Sequence, residues 1–301
     1  MTAKLMMIHC LSPLHAGTGQ GVGAVDLPIS RETSTGLPSL PGSSIKGSLR
    51  DKAGDVFGRG DAEDDAPVVA RLFGPETVNA ADHAGALSFG DAQLLCLPTR
   101  SIYGTFAWVT SPLLLQRLFR DAREAGLDVP VSISPLLVSG HQNVLVSDEG
   151  SLLTRMGDHK VFFEDFDLKG QLTAEVSTLG AWIAALLFDD VGDRELFVQR
   201  LAIVHDDIMV FLSRYAIDVV TRASIDAETK TVKPGQLWTE ENLPSESVLV
   251  SLVAELPVLA RKVPGGAFER LDEICKGAVQ FGGHATIGRG RARVSLRGGA
   301  R

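Results

Sequence analysis

The stretch LSPLHAGTGQGVGAVDLPISRETSTGLPSLPGSSIKGSLRD, Leu11–Asp51, decides how this 301-residue chain is read. Four glycines stand within the seven positions 17–23, and a single carboxylate, Asp26, follows them. Inside a helix or strand each glycine costs about 0.5–1 kcal/mol relative to alanine, so the cluster reads as a loop whose backbone passes close to something large. Before it, KLMMIHCL (4–11) reads as a short strand. After it, residues 41–58 read as a helix, with Ser43 or Ser44 as cap and Ile45, Leu49, Ala53 and Val56 or Phe57 along one face. Gly47 weakens that helix unless something must approach it closely.

Working outward, GALSFGDAQLLCLP (85–98) and SIYGTFAWVT (101–110) read as strands. Ser111-Pro112 opens a helix that Gly126 stops. Residues 178–188 and 195–214 read as helical, and 215–226 and 231–241 flank a polar turn, the pattern of a hairpin. SVLVSLVAEL (247–256) is a strand, 266–279 a helix and RARVSL (291–296) a closing strand. Strands and helices interleave without a steady βα repeat, which points to an α+β fold with insertions.

With 37 acidic and 29 basic residues the chain carries a formal charge of −8. There is no overall basic footprint for nucleic acid, although one groove can be locally positive. The acidic run DAEDDAP (61–67) reads as a solvated loop. Cys10, Cys96 and Cys275 lie far apart, no CxxC pattern suggests zinc, and a reducing cytoplasm is the simplest compartment. The first residues have too short an apolar core for a signal peptide, and no apolar run reaches the roughly 20 residues that span a membrane.

GxGxxG fails because no glycine stands at 22 or 24, and GxxxxGK[ST], GxSxG and HExxH are absent. Asp26, with an ordinary pKa near 3.9, is a poor base at neutral pH but a competent metal ligand. His15 reads either as an acid/base or as a structural histidine, and Glu240 and Glu241 as solvated carboxylates at a hairpin end. In GGHATIGRGRARV (282–294), glycines alternate with Arg289, Arg291 and Arg293. Two readings stay open there: a solvated turn, or amides and guanidinium groups laid on RNA phosphates. On residues alone, enzyme and binding module also both stay open.

Several segments together resemble one family. Leu11–Asp51 resembles the N-terminal signature of the RAMP superfamily of CRISPR proteins, and 282–294 its glycine-rich loop. Residues 85–112 and GQLWTEENLP (235–244) resemble, more narrowly, the repeated backbone subunit of the type III-B (Cmr) effector complex. The resemblance implies one domain with a ferredoxin-like, RRM-type core: a palm (1–60, 85–130 and 245–301), helical finger insertions (131–214) and a β-hairpin thumb at about 215–240. It implies copies stacked along a CRISPR guide RNA beside other Cmr subunits, each copy cutting single-stranded target RNA once. A scaffold that only grips the guide and a stand-alone ribonuclease that processes precursor RNA are the alternatives. Metal-dependent cleavage falls on Asp26, with a divalent metal, expected to be Mg2+. His15, Glu240 and Glu241 fall on further motif positions. Lys46 and Arg50, one helical turn apart, and Gly282, Gly283, Arg289 and Arg291 are the expected RNA contacts, and no membrane is expected as a partner.

Overall fold

The computed structural model describes residues 2–19, 21, 25–58, 68–75, 84–155 and 159–298. The acidic run at 61–67 lies outside them. In chain order the first elements are β1 (Ala3–Cys10), β2 (Ser39–Leu40), α1 (Gly42–Phe57), α2 (Val68–Phe73), β3 (Leu87–Phe89), β4 (Ala92–Arg100), β5 (Phe106–Thr110) and α3 (Pro112–Glu124). Then come β6 (Asn143–Ser147), β7 (Lys160–Phe163), β8 (Phe166–Thr173), α4 (Ala174–Leu187), α5 (Val191–Arg200), β9 (Leu201–Val204) and α6 (Asp206–Tyr215). The last are β10 (Asp218–Ile225), β11 (Val232–Asn242), β12 (Val248–Glu255), α7 (Pro257–Ala260), α8 (Ala267–Cys275), β13 (Ala278–Gln280) and β14 (Arg291–Arg297).

β1 explains the layering. Its side chains alternate between two cores, Met6, Ile8 and Cys10 on one face and Leu5 and Met7 on the other. A near-continuous apolar strand of this kind is covered on both sides. It pairs antiparallel with β12 and β14, Met6 lying opposite Ser251 and Leu296. Among the described residues twelve strands form one sheet, ordered β13-β14-β1-β12-β4-β5-β9-β6-β8-β7, with β2 on β4 and β3 on β12. Helices α1, α6 and α8 cover one face, and α3, α4 and α5 contribute to the core on the other. Truncating Ile8 or Leu5 to alanine in such a position costs about 2–5 kcal/mol. β10 and β11 leave the sheet and pair only with each other as strands, the hairpin expected from the sequence.

Several local expectations are corrected. The helix read across 195–214 is broken by β9, whose four residues are fully buried between parallel β5 and antiparallel β6. Four apolar residues fit either period, and two waiting strand edges decide between them. Residues 131–214, expected as helical finger insertions, therefore add strands to the sheet as well as helices. Residues 85–98 form two strands rather than one, β5 begins only at Phe106, and the helix read over 266–279 ends at Cys275. Neither Ser43 nor Ser44 caps α1. Instead Gly42 N–H donates to Asp91 Oδ1 at 2.7 Å. Ser111 occupies the cap position of α3 without a side-chain bond, and Leu113 N–H donates to Asp206 Oδ1 at 2.9 Å. Distant carboxylates supply both helix starts, partners that local sequence does not reveal.

Cys10, Cys96 and Cys275 are free and buried, and burial pushes the Cys10 and Cys275 thiols up to about 12. They are inert at neutral pH. No described helix is long and apolar enough to cross a membrane.

Candidate functional site

The loop that opened the sequence reading folds back on itself and then lies along the hairpin. Ser30 N–H donates to the Ala16 carbonyl at 2.7 Å and Thr18 N–H to that of Pro28 at 3.2 Å. Gly21 N–H donates to the Asp26 carbonyl at 2.9 Å; Gln20 and Val22–Ala24 lie outside the described residues. The outgoing limb adds to β11 in parallel. Leu27 N–H donates to the Thr239 carbonyl and Glu241 N–H to that of Leu27, both at 3.0 Å.

This pairing sets Asp26 against Thr239. Asp26 Oδ2 accepts from Thr239 N–H at 2.8 Å and from its hydroxyl at 2.9 Å, while Asp26 N–H donates to Thr239 Oγ1 at 3.0 Å. The Thr239 backbone bond, then its hydroxyl, holds the exposed carboxyl below its ordinary value, so it is ionised at neutral pH. Only Oδ2 is engaged by these bonds. The carboxylate lines an open cleft of about 430 Å³ together with Gly21, Leu27, Gly235, Leu237 and Trp238.

Glu240 and Glu241 are not the solvated pair expected from a hairpin end. They are 1% and 7% exposed, because the loop closes over one face of the hairpin base and the C-terminal glycine segment over the other. Side chains alternate on β11, so Thr239 and Glu241 face the loop while Trp238 and Glu240 face the opposite way. Glu241 accepts from Ile29 N–H at 3.0 Å and pairs with Arg31, whose guanidinium also reaches the Ser213 carbonyl at 3.0 Å. Glu240 accepts from Trp238 Nε1 at 2.9 Å and Arg222 Nε at 3.0 Å, with His284 Nε2 at 3.9 Å. Burial pushes the Glu240 carboxyl up. The Trp238 and Arg222 hydrogen bonds and the nearby His284 and Arg222 charges outweigh it and leave the group below its ordinary value.

His15 is buried beneath the loop. Its Nδ1–H donates to the Glu241 carbonyl at 2.7 Å, and its ring meets His284 edge-on at 4.9 Å. Gly282, at φ +69°, passes so close that a Cβ there would lie 2.3 Å from the His15 carbonyl, which in turn accepts from Gly283 N–H at 2.9 Å. These two glycines thus have a packing reason within the chain. Gly47 has none, since a Cβ there would meet nothing within 4 Å.

The expected RNA-contacting cations fall on two other surfaces. Lys46 and Arg50 line a cleft between α1 and the 84–89 segment, Arg50 donating to the Pro75 carbonyl at 2.9 Å. On β14, Arg291 and Arg293 point outward while Ala292 and Val294 are buried. Arg289 is half-buried near Asp218, whose carboxyl burial pushes up against the pull of that guanidinium. Sequence reasoning missed Thr239, Arg31, Arg222 and His284 as site residues. The one available signal was the hairpin register, which sets Arg222 opposite Trp238 and Thr221 opposite Thr239.

The pattern of the RAMP superfamily matches residues 7–293, from the first strand to the last. The chain belongs to the RAMP superfamily. Among RAMP relatives, the Cmr endoribonuclease Cmr4 of Pyrococcus furiosus is 34% identical over 303 aligned residues, covering 99% of this chain and 96% of that one. The crystal structure of oligomeric Cmr4 from Pyrococcus furiosus superposes with a TM-score of 0.75 at 27% identity, over the full length of both chains. A chain of the type III-B Cmr-beta complex bound to cognate target RNA shares the fold, with a TM-score of 0.73 at 21% identity over 98% and 97% of the two chains. The expected α+β RAMP fold is borne out, and the structure realises it as a large sheet with helices and a separate hairpin.

Proposed function

We infer that this RAMP protein is a backbone subunit of a Cmr-type effector complex and an endoribonuclease that cuts guide-paired target RNA. Copies of it stack with one another and with other Cmr subunits on a CRISPR guide RNA, in the cytoplasm, where its three buried thiols stay reduced. The observation that carries the catalytic part is Asp26: ionised, exposed, bonded through one oxygen and set on a cleft at the hairpin base.

The reaction is attack by a ribose 2′-hydroxyl on its adjacent phosphate, which forms a 2′,3′-cyclic phosphate, breaks the P–O5′ bond and releases the 5′-hydroxyl of the next nucleotide. The proton of the attacking hydroxyl passes to water, and the leaving oxygen takes one from it. A-form duplex does not offer in-line geometry, so a nucleotide must be splayed first. The hairpin is the thumb that does this. It is exposed over Val232–Leu237 and carries exposed Val219, Ile225 and Leu237, apolar side chains able to wedge between bases. Enforced alignment of reacting groups supplies several kcal/mol of barrier lowering.

Asp26 is too acidic for a general base at neutral pH, and its negative charge suits holding a cation beside the scissile phosphate. The donor set fits Mg2+ only in the presence of RNA. Mg2+ typically takes one or two carboxylates and completes its shell with water and phosphate oxygens, and Glu240 and Glu241 are buried with each of their oxygens already held by a protein donor. When bound, the metal supplies stabilisation of the charge that develops on the phosphate. Thr239 fixes the carboxylate's orientation, and His15, Glu240 and Glu241 hold loop, hairpin and glycine segment in register.

The deciding experiment is cleavage of guide-complementary RNA by the reconstituted complex. Regularly spaced products are expected from the wild-type subunit and none from a complex built with Asp26→Asn. Uncut target with the wild-type subunit would leave only the scaffold role.

A further inference from the structure

Away from the cleft that holds Asp26, residues 141–207 assemble a second group of side chains, none of them among the residues of the proposed cleavage site. His141, His205 and Asp207 each offer one ligand atom, and the three atoms lie within 4.8 Å of one another. Asp207 Oδ2 stands 2.9 Å from His141 Nε2 and 3.4 Å from His205 Nδ1, and the two imidazoles meet edge-on at 4.5 Å. The His141 contact alone is an ordinary histidine–carboxylate pair, whereas His205 Nδ1 is occupied as an acceptor and faces the carboxylate oxygen without a proton between them. Together they bring two imidazoles to one carboxylate oxygen.

The scaffold beneath is rigid. β6 and β9 are antiparallel, with Val144 opposite Val204, and both lie inside the sheet rather than at its edge. Carrying that register past the strand ends sets His141 opposite Asp207 and Asn143 opposite His205. His205 is also the N-cap of α6, its Nδ1 accepting from Asp207 N–H at 3.2 Å. Two interior strands and a helix start therefore place the three side chains, while His141 and Asp207 remain exposed enough for an ion to enter without unfolding.

The geometry and donor chemistry fit one class of ligand. A tetrahedral ion with nitrogen and oxygen ligands at about 2.0–2.1 Å holds its ligand atoms about 3.3 Å apart; the Asp207 oxygen stands 2.9 and 3.4 Å from the two imidazole nitrogens, which lie within 4.8 Å of each other. Two imidazoles and a carboxylate suit Zn2+ and its neighbours rather than Mg2+. Three protein ligands leave one position to water. We propose that His141, His205 and Asp207 form a binding site for a late first-row divalent cation of the zinc type, which fastens the segment entering β6 to the start of α6. Binding exchanges the long cap bond at His205 Nδ1 for a metal bond and leaves the Asp207 N–H to solvent.

The test uses the full chain, freed of metal by a chelator and titrated with Co2+ and then Zn2+ in the absence of RNA. One Co2+ per chain is expected, with visible absorption bands of nitrogen–oxygen coordination that Zn2+ abolishes and a melting temperature that rises with Zn2+. His141→Ala and Asp207→Asn should each weaken binding at least tenfold, whereas Asp26→Asn should bind as wild type does. His141→Ala removes an exposed loop side chain whose hydrogen bond goes to the Asp207 side chain rather than to the α6 cap, so it carries the test even if Asp207→Asn loosens α6. Absence of Co2+ bands at millimolar metal, or undiminished binding by His141→Ala, would overturn the proposal.

Discussion

Asp26 and the pair Glu240–Glu241 are carboxylates on adjoining positions of one ladder, yet they stand in opposite surroundings. Asp26 commits one oxygen to Thr239 and opens onto a cleft. Glu240 and Glu241 spend their lone pairs on Arg222, Trp238, Arg31 and Ile29 N–H and are sealed beneath the loop and the glycine segment. The difference teaches that proximity to a reactive centre does not assign a role. What counts is whether one oxygen stays free and open to solvent, since a buried carboxylate with a partner on each oxygen is a fastening.

The sharpest way to break this contrast is Asp26→Asn. It keeps shape and removes charge, so target cleavage should fall by about 100-fold or more while guide and target binding persist, as read under single-turnover conditions with saturating Mg2+. The pH profile belongs to the same test. A carboxyl held below its ordinary 3.8 is protonated only at still lower pH. Loss of cleavage on acidification from pH 8 to 5 must therefore come from other groups, and that acid limb should be unchanged when Thr239 is altered.

Arg31→Ala probes the opposite member of the comparison. It strands Glu241 in a buried position without its ion-pair partner, a change worth about 3 kcal/mol of stability by denaturant unfolding. A variant as stable as wild type would show that Glu241 is not a fastening. Thr239→Val lies between the two. The backbone N–H still holds Asp26 Oδ2, but the hydroxyl is gone, so cleavage should drop by roughly tenfold with stability nearly unchanged. His15→Ala should act mainly through stability, because the His15 ring bonds the Glu241 carbonyl and packs on His284 rather than on Asp26 among the described residues. The smallest effect is expected from Arg291→Ala. Losing one exposed phosphate contact should lower the slope of log affinity against log salt by about 0.7, with little sequence dependence.

Much of this was legible in the chain. β1, α1 and the hairpin follow from apolar periodicity and turn residues, and Asp26 stands alone after its glycines. What stayed hidden depends on contacts between distant segments. LAIV at 201–204 carries no period of its own and becomes a strand because β5 and β6 leave a place between them. Asp91 and Asp206 cap helices they do not precede. Thr239 becomes Asp26's partner only once the loop lies along β11. The same event buries the Glu241 side chain that local sequence placed in solvent, and the returning C-terminal segment covers Glu240. Gly282 reads as room for a phosphate until the His15 carbonyl is seen to occupy that room.

The parallel seam between Leu27 and β11 has a mechanical consequence. Its two backbone bonds leave no slack between the loop and the hairpin base, so the hairpin acts as a lever with Asp26 riding near its fulcrum. If a guide–target duplex displaces the exposed tip, this seam predicts that the base turns with it and that the carboxylate is re-aimed by the same motion. Prying the strands apart and presenting the charge are then one movement rather than two, timed by the substrate that must be cut.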